Sequence, residues 1–90
     1  MTSALPVRRG RASAAGTSVE KAMRILEALA APDGPHRLMD VAGRAGVPRS
    51  TAYRVLATLT ADGFAENCGD GRYGIGGRLG GLSRSAQAER

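Results

Sequence analysis

Tryptophan is absent from the 90 residues, Phe64 is the single phenylalanine, and Tyr53 and Tyr73 are the only tyrosines. A fold of this size buries about 60% of the surface its unfolded chain exposes, so one small core has to rest on Leu, Val, Ile, Met and Ala. Alanine-rich helices suit such a core better than a broad β-sandwich. Cysteine occurs once, as Cys68, and histidine once, as His36. An intramolecular disulfide is therefore excluded, and a metal-ligand set cannot be assembled. The same scarcity, with no clustered carboxylates, leaves no catalytic constellation, so neither an enzyme nor a cofactor is expected. No apolar run approaches the ~20 residues of a membrane span, and the N-terminus lacks the apolar stretch of a signal peptide. With a lone reduced cysteine, this points to a cytoplasmic protein. Lysine is nearly missing too, Lys21 standing beside twelve arginines, which reads as a GC-rich coding bias.

The formal net charge is +5, but it is unevenly placed. Residues 1–16 carry Arg8, Arg9 and Arg11 and no acid, whereas seven basic and seven acidic residues balance between Thr17 and Gly77. The remaining excess lies from Arg78 onward. Bulk charge thus favours nucleic acid only through the ends, and a case for DNA binding must come from where the central arginines point. Residues 1–16 read as a disordered basic arm; their Arg, Ser and Ala content also resembles a transit peptide, but without amphipathic periodicity.

Thr17-Ser18-Val19-Glu20 has the spacing of a capping box and predicts a helix start. Val19, Ala22, Met23, Leu26, Leu29 and Ala30 follow at helical spacing and are expected to pack inward, until Pro32-Asp33-Gly34-Pro35 ends the helix. A short extended piece at His36 and Arg37 precedes a second helix over Leu38–Ala45, with Leu38, Val41, Ala42 and Ala45 on its apolar face. Gly46 suits the left-handed residue that closes a helix. Pro48 opens a third helix, from about Arg49 to Asp62, closed by Gly63. Its inward stripe is Ala52, Val55, Leu56 and Leu59; Ser50, Tyr53, Arg54 and Ala57 point the other way, flanked by Arg49 and Thr51. Phe64–Asn67 and Arg72–Ile75 read as strands around the turn signal Cys68-Gly69-Asp70-Gly71. Beyond them Gly74, Gly76, Gly77, Gly80 and Gly81 argue against a firm helix, although Leu79 and Leu82 lie one turn apart. The expected fold is mainly α with a small β-hairpin, a winged helix-turn-helix of three helices plus a wing over residues 17–77. Residues 78–90 are left as the start of a linker helix or a truncated tail.

Two helices joined by a short glycine-containing turn and followed by a hairpin define that arrangement. Ala42 lies four residues before Gly46, where a bulky side chain would obstruct the helix crossing. In such a pair the start of the second helix enters the major groove and needs hydrogen-bond donors and slim polar groups. Arg49, Ser50, Thr51, Tyr53 and Arg54 meet that need. Either arginine can donate both nitrogens to guanine, and the hydroxyl residues can bond phosphates or bases. Arg72, beside the hairpin turn, can reach the DNA backbone or the neighbouring minor groove. Plainer roles stand next to these: Arg54 as a solvated or ion-paired helix charge, Tyr53 as half-buried packing, His36 as an ordinary loop or strand residue, and Cys68 as incidental, having no resolving cysteine.

Ser18-Val19-Glu20-Lys21-Ala22, Ile25-Leu26, Asp40-Val41-Ala42, Gly46 through Thr51, Arg54-Val55-Leu56, Leu59, Gly63-Phe64 and Tyr73 together resemble the N-terminal DNA-binding domain of the IclR family of bacterial transcription regulators. The resemblance spans about residues 17–82. It implies a winged helix-turn-helix that dimerises, binds near-palindromic double-stranded operator DNA and represses or activates nearby genes. It places Thr51 and Arg54 at characteristic recognition-helix positions. The family usually has Ser or Thr where this chain has Arg37, which weakens the cap of the second helix. Its members continue into a larger C-terminal effector-binding domain that these residues do not contain, so no small-molecule effector is expected to bind them. A different class of function, a winged helix used as a protein-interaction module, is compatible with the neutral central region.

Overall fold

The computed structural model describes residues 17–88, so the expected basic arm over residues 1–16 lies outside the described residues. The first helix, α1, spans Ser18–Leu29, and Thr17 and Glu20 form both halves of the capping box. The Glu20 amide donates to Thr17 Oγ1 (3.0 Å) and the Thr17 amide to Glu20 Oε1 (2.9 Å), satisfying two of the amides that a helix start leaves without partners. The buried face of α1 differs from the expected one. Ile25, Ala28 and Leu29 are buried, whereas Val19 and Met23 are 66% and 54% exposed. The apolar arc of this helix is wider than the core can cover. Its inner edge is decided by Ala28, small enough for α2 to approach closely, and by Ile25, which loses all solvent contact.

The short strand β1, His36–Arg37, leads into α2, Leu38–Ala45, which buries Val41, Ala42 and Ala45. Gly46 follows at φ 69, ψ 35, a left-handed geometry that costs a side chain with a Cβ but not glycine. The Gly46 amide returns to the carbonyls of Ala42 and Gly43, and the Val47 amide to that of Ala42 (3.1 Å). The chain thereby reverses within three residues, and Pro48, extended at ψ 151, opens α3 over Arg49–Ala61. Arg24 of α1 fastens the turn from outside: its Nε donates to the Ala45 carbonyl at 2.9 Å, one of the acceptors at the end of α2 that has no partner within the helix.

Two further strands, β2 (Ala65–Gly69) and β3 (Arg72–Ile75), form the hairpin, and β1 pairs with β3 to give a three-stranded antiparallel sheet in the order β1-β3-β2. The turn is tighter than the four-residue signal suggests. β2 continues through Cys68 to Gly69, and Asp70-Gly71, both at positive φ (55 and 71), reverse the chain, the pattern of a two-residue hairpin turn. The register slips between Asn67 and Gly69, an irregularity that fits the extra residue. His36, opposite Tyr73, is 4% exposed, and its Nε2 donates to the Ala31 carbonyl at 2.9 Å. It is a strand residue with a satisfied ring. The glycine-rich stretch that argued against a helix forms α4, Gly77–Ala88. It is fastened at its first turn, where the Arg78 amide donates to the Gly63 carbonyl (3.2 Å) and the Arg78 guanidinium lies 4.6 Å from the Phe64 ring centroid.

The core joins the three leading helices and the base of the wing: Ile25, Ala28 and Leu29 with Val41, Ala42, Ala45, Val47, Ala52, Leu56 and Ala65. Val55 and Leu59, expected in the inward stripe of α3, are partly buried and pack against it. Two glycines test the packing in opposite directions. A Cβ on Gly76 would sit 2.3 Å from the Gly63 carbonyl oxygen, where β3 leaves the sheet, while a Cβ on Gly43, exposed on α2, would meet nothing within 4 Å. In urea unfolding, Gly76→Ala is expected to lose about 1–3 kcal/mol or more, because the obstacle is backbone. Gly43→Ala is expected to gain about 0.5–1 kcal/mol; equal midpoints for the two would contradict this packing.

Candidate nucleic-acid interface

Every residue anticipated from the sequence as a DNA contact lies on α3 or at the start of β3. Arg49 and Ser50 are exposed on the first turn of α3, Tyr53 is 57% exposed on the second, and Arg54 is exposed beside it. Half-buried packing is thus not the role of Tyr53. Arg49 and Tyr53 share one flank of the helix at i, i+4 spacing, and Ser50 and Arg54 share the next. Arg72 is partly buried at the first position of β3. The six residues do not form one cluster. Arg49 lines an open cleft of about 400 Å³ with Arg37, Leu38, Met39, Asp40 and Gly71, on the wing side of the helix pair. Thr51 and Arg54 line a second groove, between α1 and α3, with Ser18, Lys21, Ala22, Val55, Thr58 and Leu59. The exposed face carrying Ser50 and Tyr53 belongs to neither.

Two basic residues join these groups without having been anticipated as contacts. Lys21 comes from α1 to the Arg54 groove. Arg37 in β1 lies directly opposite Arg72 in β3 and lines the cleft that holds Arg49. The signal for Arg37 in the sequence was only a missing cap. Its place at the wing depends on a two-residue strand pairing across 35 positions with β3, which periodicity cannot reveal.

The arginines divide by partner. Arg24 is bonded to the Ala45 carbonyl, Arg78 to the Asp62 carbonyl, and Arg44 to the Asp33 carboxylate at 3.2 Å. Among the described residues, the ion pairs involve none of Lys21, Arg37, Arg49, Arg54 or Arg72. The ion-paired reading of Arg54 therefore has no partner there. An ion pair on the surface adds little to stability, but the partners sort the cations: Arg24, Arg44 and Arg78 are engaged within the fold, while Lys21, Arg37, Arg49 and Arg54 line the two clefts and Arg72 stands at the wing without an ion pair. Among the described residues no three of His, Cys, Asp and Glu are grouped as metal ligands, and no helix is long and apolar enough to cross a membrane.

Three helices with a left-handed glycine between the second and third, followed by a sheet-anchored hairpin, make this a winged helix-turn-helix domain. The model of the IclR helix-turn-helix domain matches residues 18–67, more than half of the chain. The chain belongs to the IclR family. It is 33% identical over 85 residues to the transcriptional repressor IclR of Escherichia coli K12, and equally to the acetate operon repressor of Salmonella typhimurium. Each alignment covers 84% of this chain but 31% of the relative's length. Among solved structures, the IclR transcriptional regulator of Alicyclobacillus acidocaldarius superposes with a TM-score of 0.69 at 34% identity, over 77% of this chain and 28% of that one. An IclR homolog from Microbacterium hydrocarbonoxydans, complexed with 4-hydroxybenzoate, gives 0.68 at 30% identity, over 73% and 28%.

The Asp33–Arg44 pair has a pH signature. The hydrogen bond from Arg44 holds the Asp33 carboxyl below its ordinary value, assisted by a backbone hydrogen bond. A lowered folded-state pKa means that the unfolded chain takes up the proton first, so the stabilisation is present above the unfolded value and is lost as pH falls through the folded one. Asp33 is exposed, so the effect is small and screened by salt. In urea midpoints measured against pH at low salt, Asp33→Asn is expected to trail the parent near neutrality and converge with it on acidification. A gap that widens in acid would contradict this assignment.

Proposed function

We propose that this domain is a sequence-specific DNA reader for transcriptional control, with α3 lying in the major groove and the wing against the adjacent backbone. The observation that carries this reading is the exposed arc of α3, free of ion pairs, that opens directly after the left-handed turn at Gly46. Arg49, Ser50, Tyr53 and Arg54 present donors on that face, and a bidentate arginine–guanine contact contributes about 1–3 kcal/mol of discrimination. Thr51, at the mouth of the α1–α3 groove, and Arg72, at the wing, serve as phosphate contacts, fixing register rather than sequence. The free cations make binding steeply salt-dependent despite a neutral central charge.

A single recognition helix reads only a few base pairs, so specificity in a genome calls for two half-sites related by a dyad. We infer a homodimer on a near-palindromic operator, in keeping with the apolar residues Val19 and Met23 that α1 leaves uncovered. The two relatives are named as repressors, and repression is the sign of regulation proposed for the protein to which this domain belongs.

Selection from random duplex DNA, followed by sequencing and repeated at two salt concentrations, is expected to enrich an inverted repeat that binds more weakly at high salt. Arg49→Ala together with Arg54→Ala should cost about 2–6 kcal/mol of affinity for that repeat if each makes a bidentate contact, and should relax base preference while the melting temperature holds. Unchanged affinity and preference in the folded double variant would refute the reading. A protein partner bound independently of salt, with no DNA binding, would replace it with an interaction module.

A further inference from the structure

Resting on the DNA-reading proposal, we infer that Arg37 and Arg72 form a paired backbone clamp at the junction of wing and helix pair, each side chain taking its own phosphate on one DNA strand. Arg37 replaces the kind of residue a helix start ordinarily uses. It occupies the N-cap of α2 and makes no side-chain cap hydrogen bond, and a guanidinium, having donors and no acceptor, cannot cap the amides there. Its charge also lies at the positive end of the α2 dipole, where cations are disfavoured.

A second unfavourable term comes from the sheet. Arg37 and Arg72 are register partners across β1 and β3, and like charges placed directly opposite on antiparallel strands destabilise the pair. Arg37 also lines a cleft that holds a further cation, Arg49. The cleft also holds one acid, Asp40, but the ion pairs among the described residues do not include it. The free protein thus sets Arg37, at a helix end that repels it, between a like charge across the sheet and another across the cleft, with one carboxylate nearby. Nothing in the fold requires that arrangement: Arg37 is exposed, and its backbone alone makes the β1 pairing.

An anionic polymer removes both penalties at once. Mutual repulsion drives the two guanidiniums apart from neighbouring Cβ positions, which suits consecutive phosphates of a strand better than one shared phosphate. The position of the clamp adds a purpose. β3 is the middle strand, so Arg72 is held from both sides, and Arg37 immediately precedes α2. Phosphates bound there fix the wing and the helix pair to the same stretch of backbone, setting the approach of α3 without reading a base.

The 90-residue protein is titrated with a mixed-sequence duplex, and with the sequence it selects, across a range of salt concentrations. Arg37→Ser is expected to make the slope of log affinity against log salt shallower by about 0.9, the value for one phosphate contact. Adding Arg72→Ser should remove about 0.9 more, and Arg37→Lys should restore the parent slope. Base preference should be the same in Arg37→Ser and the parent. Its melting temperature should rise by about 4 °C or more, as serine restores a cap and the repulsion is relieved. An unchanged slope for Arg37→Ser, beside normal salt-dependent binding by the parent, would overturn the clamp and leave the DNA reading intact. Loss of preference at one base pair would overturn it by making Arg37 a base reader. Failure of the parent to bind DNA at any salt concentration would remove both proposals.

Discussion

Ile25, Val41 and Leu56, one from each of the first three helices, are the largest side chains among the described residues to lose all contact with solvent. The orientation of α3 depends on their meeting. With so few aromatics, the buried cluster contains no ring, Tyr73 packing only against its edge, so the helices must approach closely, and the alanines at 28, 42, 45 and 52 make that possible. Ala42 and Gly46 then allow the reversal between α2 and α3. Arg24 secures the same corner from α1 with a bond to the last carbonyl of α2. What faces outward on α3 follows from this inner geometry: once Ala52 and Leu56 are buried, Ser50, Tyr53 and Arg54 have no alternative to solvent.

The charge pattern has the same logic. A formal balance between Thr17 and Gly77 would suggest an indifferent surface, yet acids and bases are not mixed evenly. Asp33 holds Arg44 in an ion pair, and carbonyls at Ala45 and Asp62 engage Arg24 and Arg78. Between Thr17 and Gly77 the cations left over are those at the wing, its cleft and the α1–α3 groove. Net charge is therefore a poor guide to partner in this protein, and the placement of unpaired charge a better one.

Much of the fold was legible in local signals. Thr17 and Glu20 mark the start of α1, Gly46 and Pro48 mark the turn, and Gly-Asp-Gly marks the hairpin. What escaped was whatever depends on distant neighbours. The apolar arc on α1 is wide enough for two faces, and only the position of α2 decides that Ile25 rather than Met23 turns inward. The helix beginning at Gly77 forms against its glycines because Arg78 is anchored on Gly63 and Phe64, a contact that propensity does not encode. For the candidate site, the α3 residues were readable from helical spacing, while Arg37 and Lys21 became visible only when β1 met β3 and α1 met α3.

The order β1-β3-β2 carries a consequence for how such a domain can diversify. Because Arg72 and Tyr73, the residues of β3 that follow the turn, are stitched to Arg37 and His36 just ahead of α2, the hairpin cannot swing, tilt or slide without pulling on the helix pair. The tip at Asp70-Gly71 has no such attachment. Insertions there would extend the hairpin like a telescoping arm, altering how far the domain stretches along a duplex while the angle of the reading helix stays as built. Reach and recognition are thus separately adjustable in this architecture, with β1, two residues long, as the joint that keeps them apart.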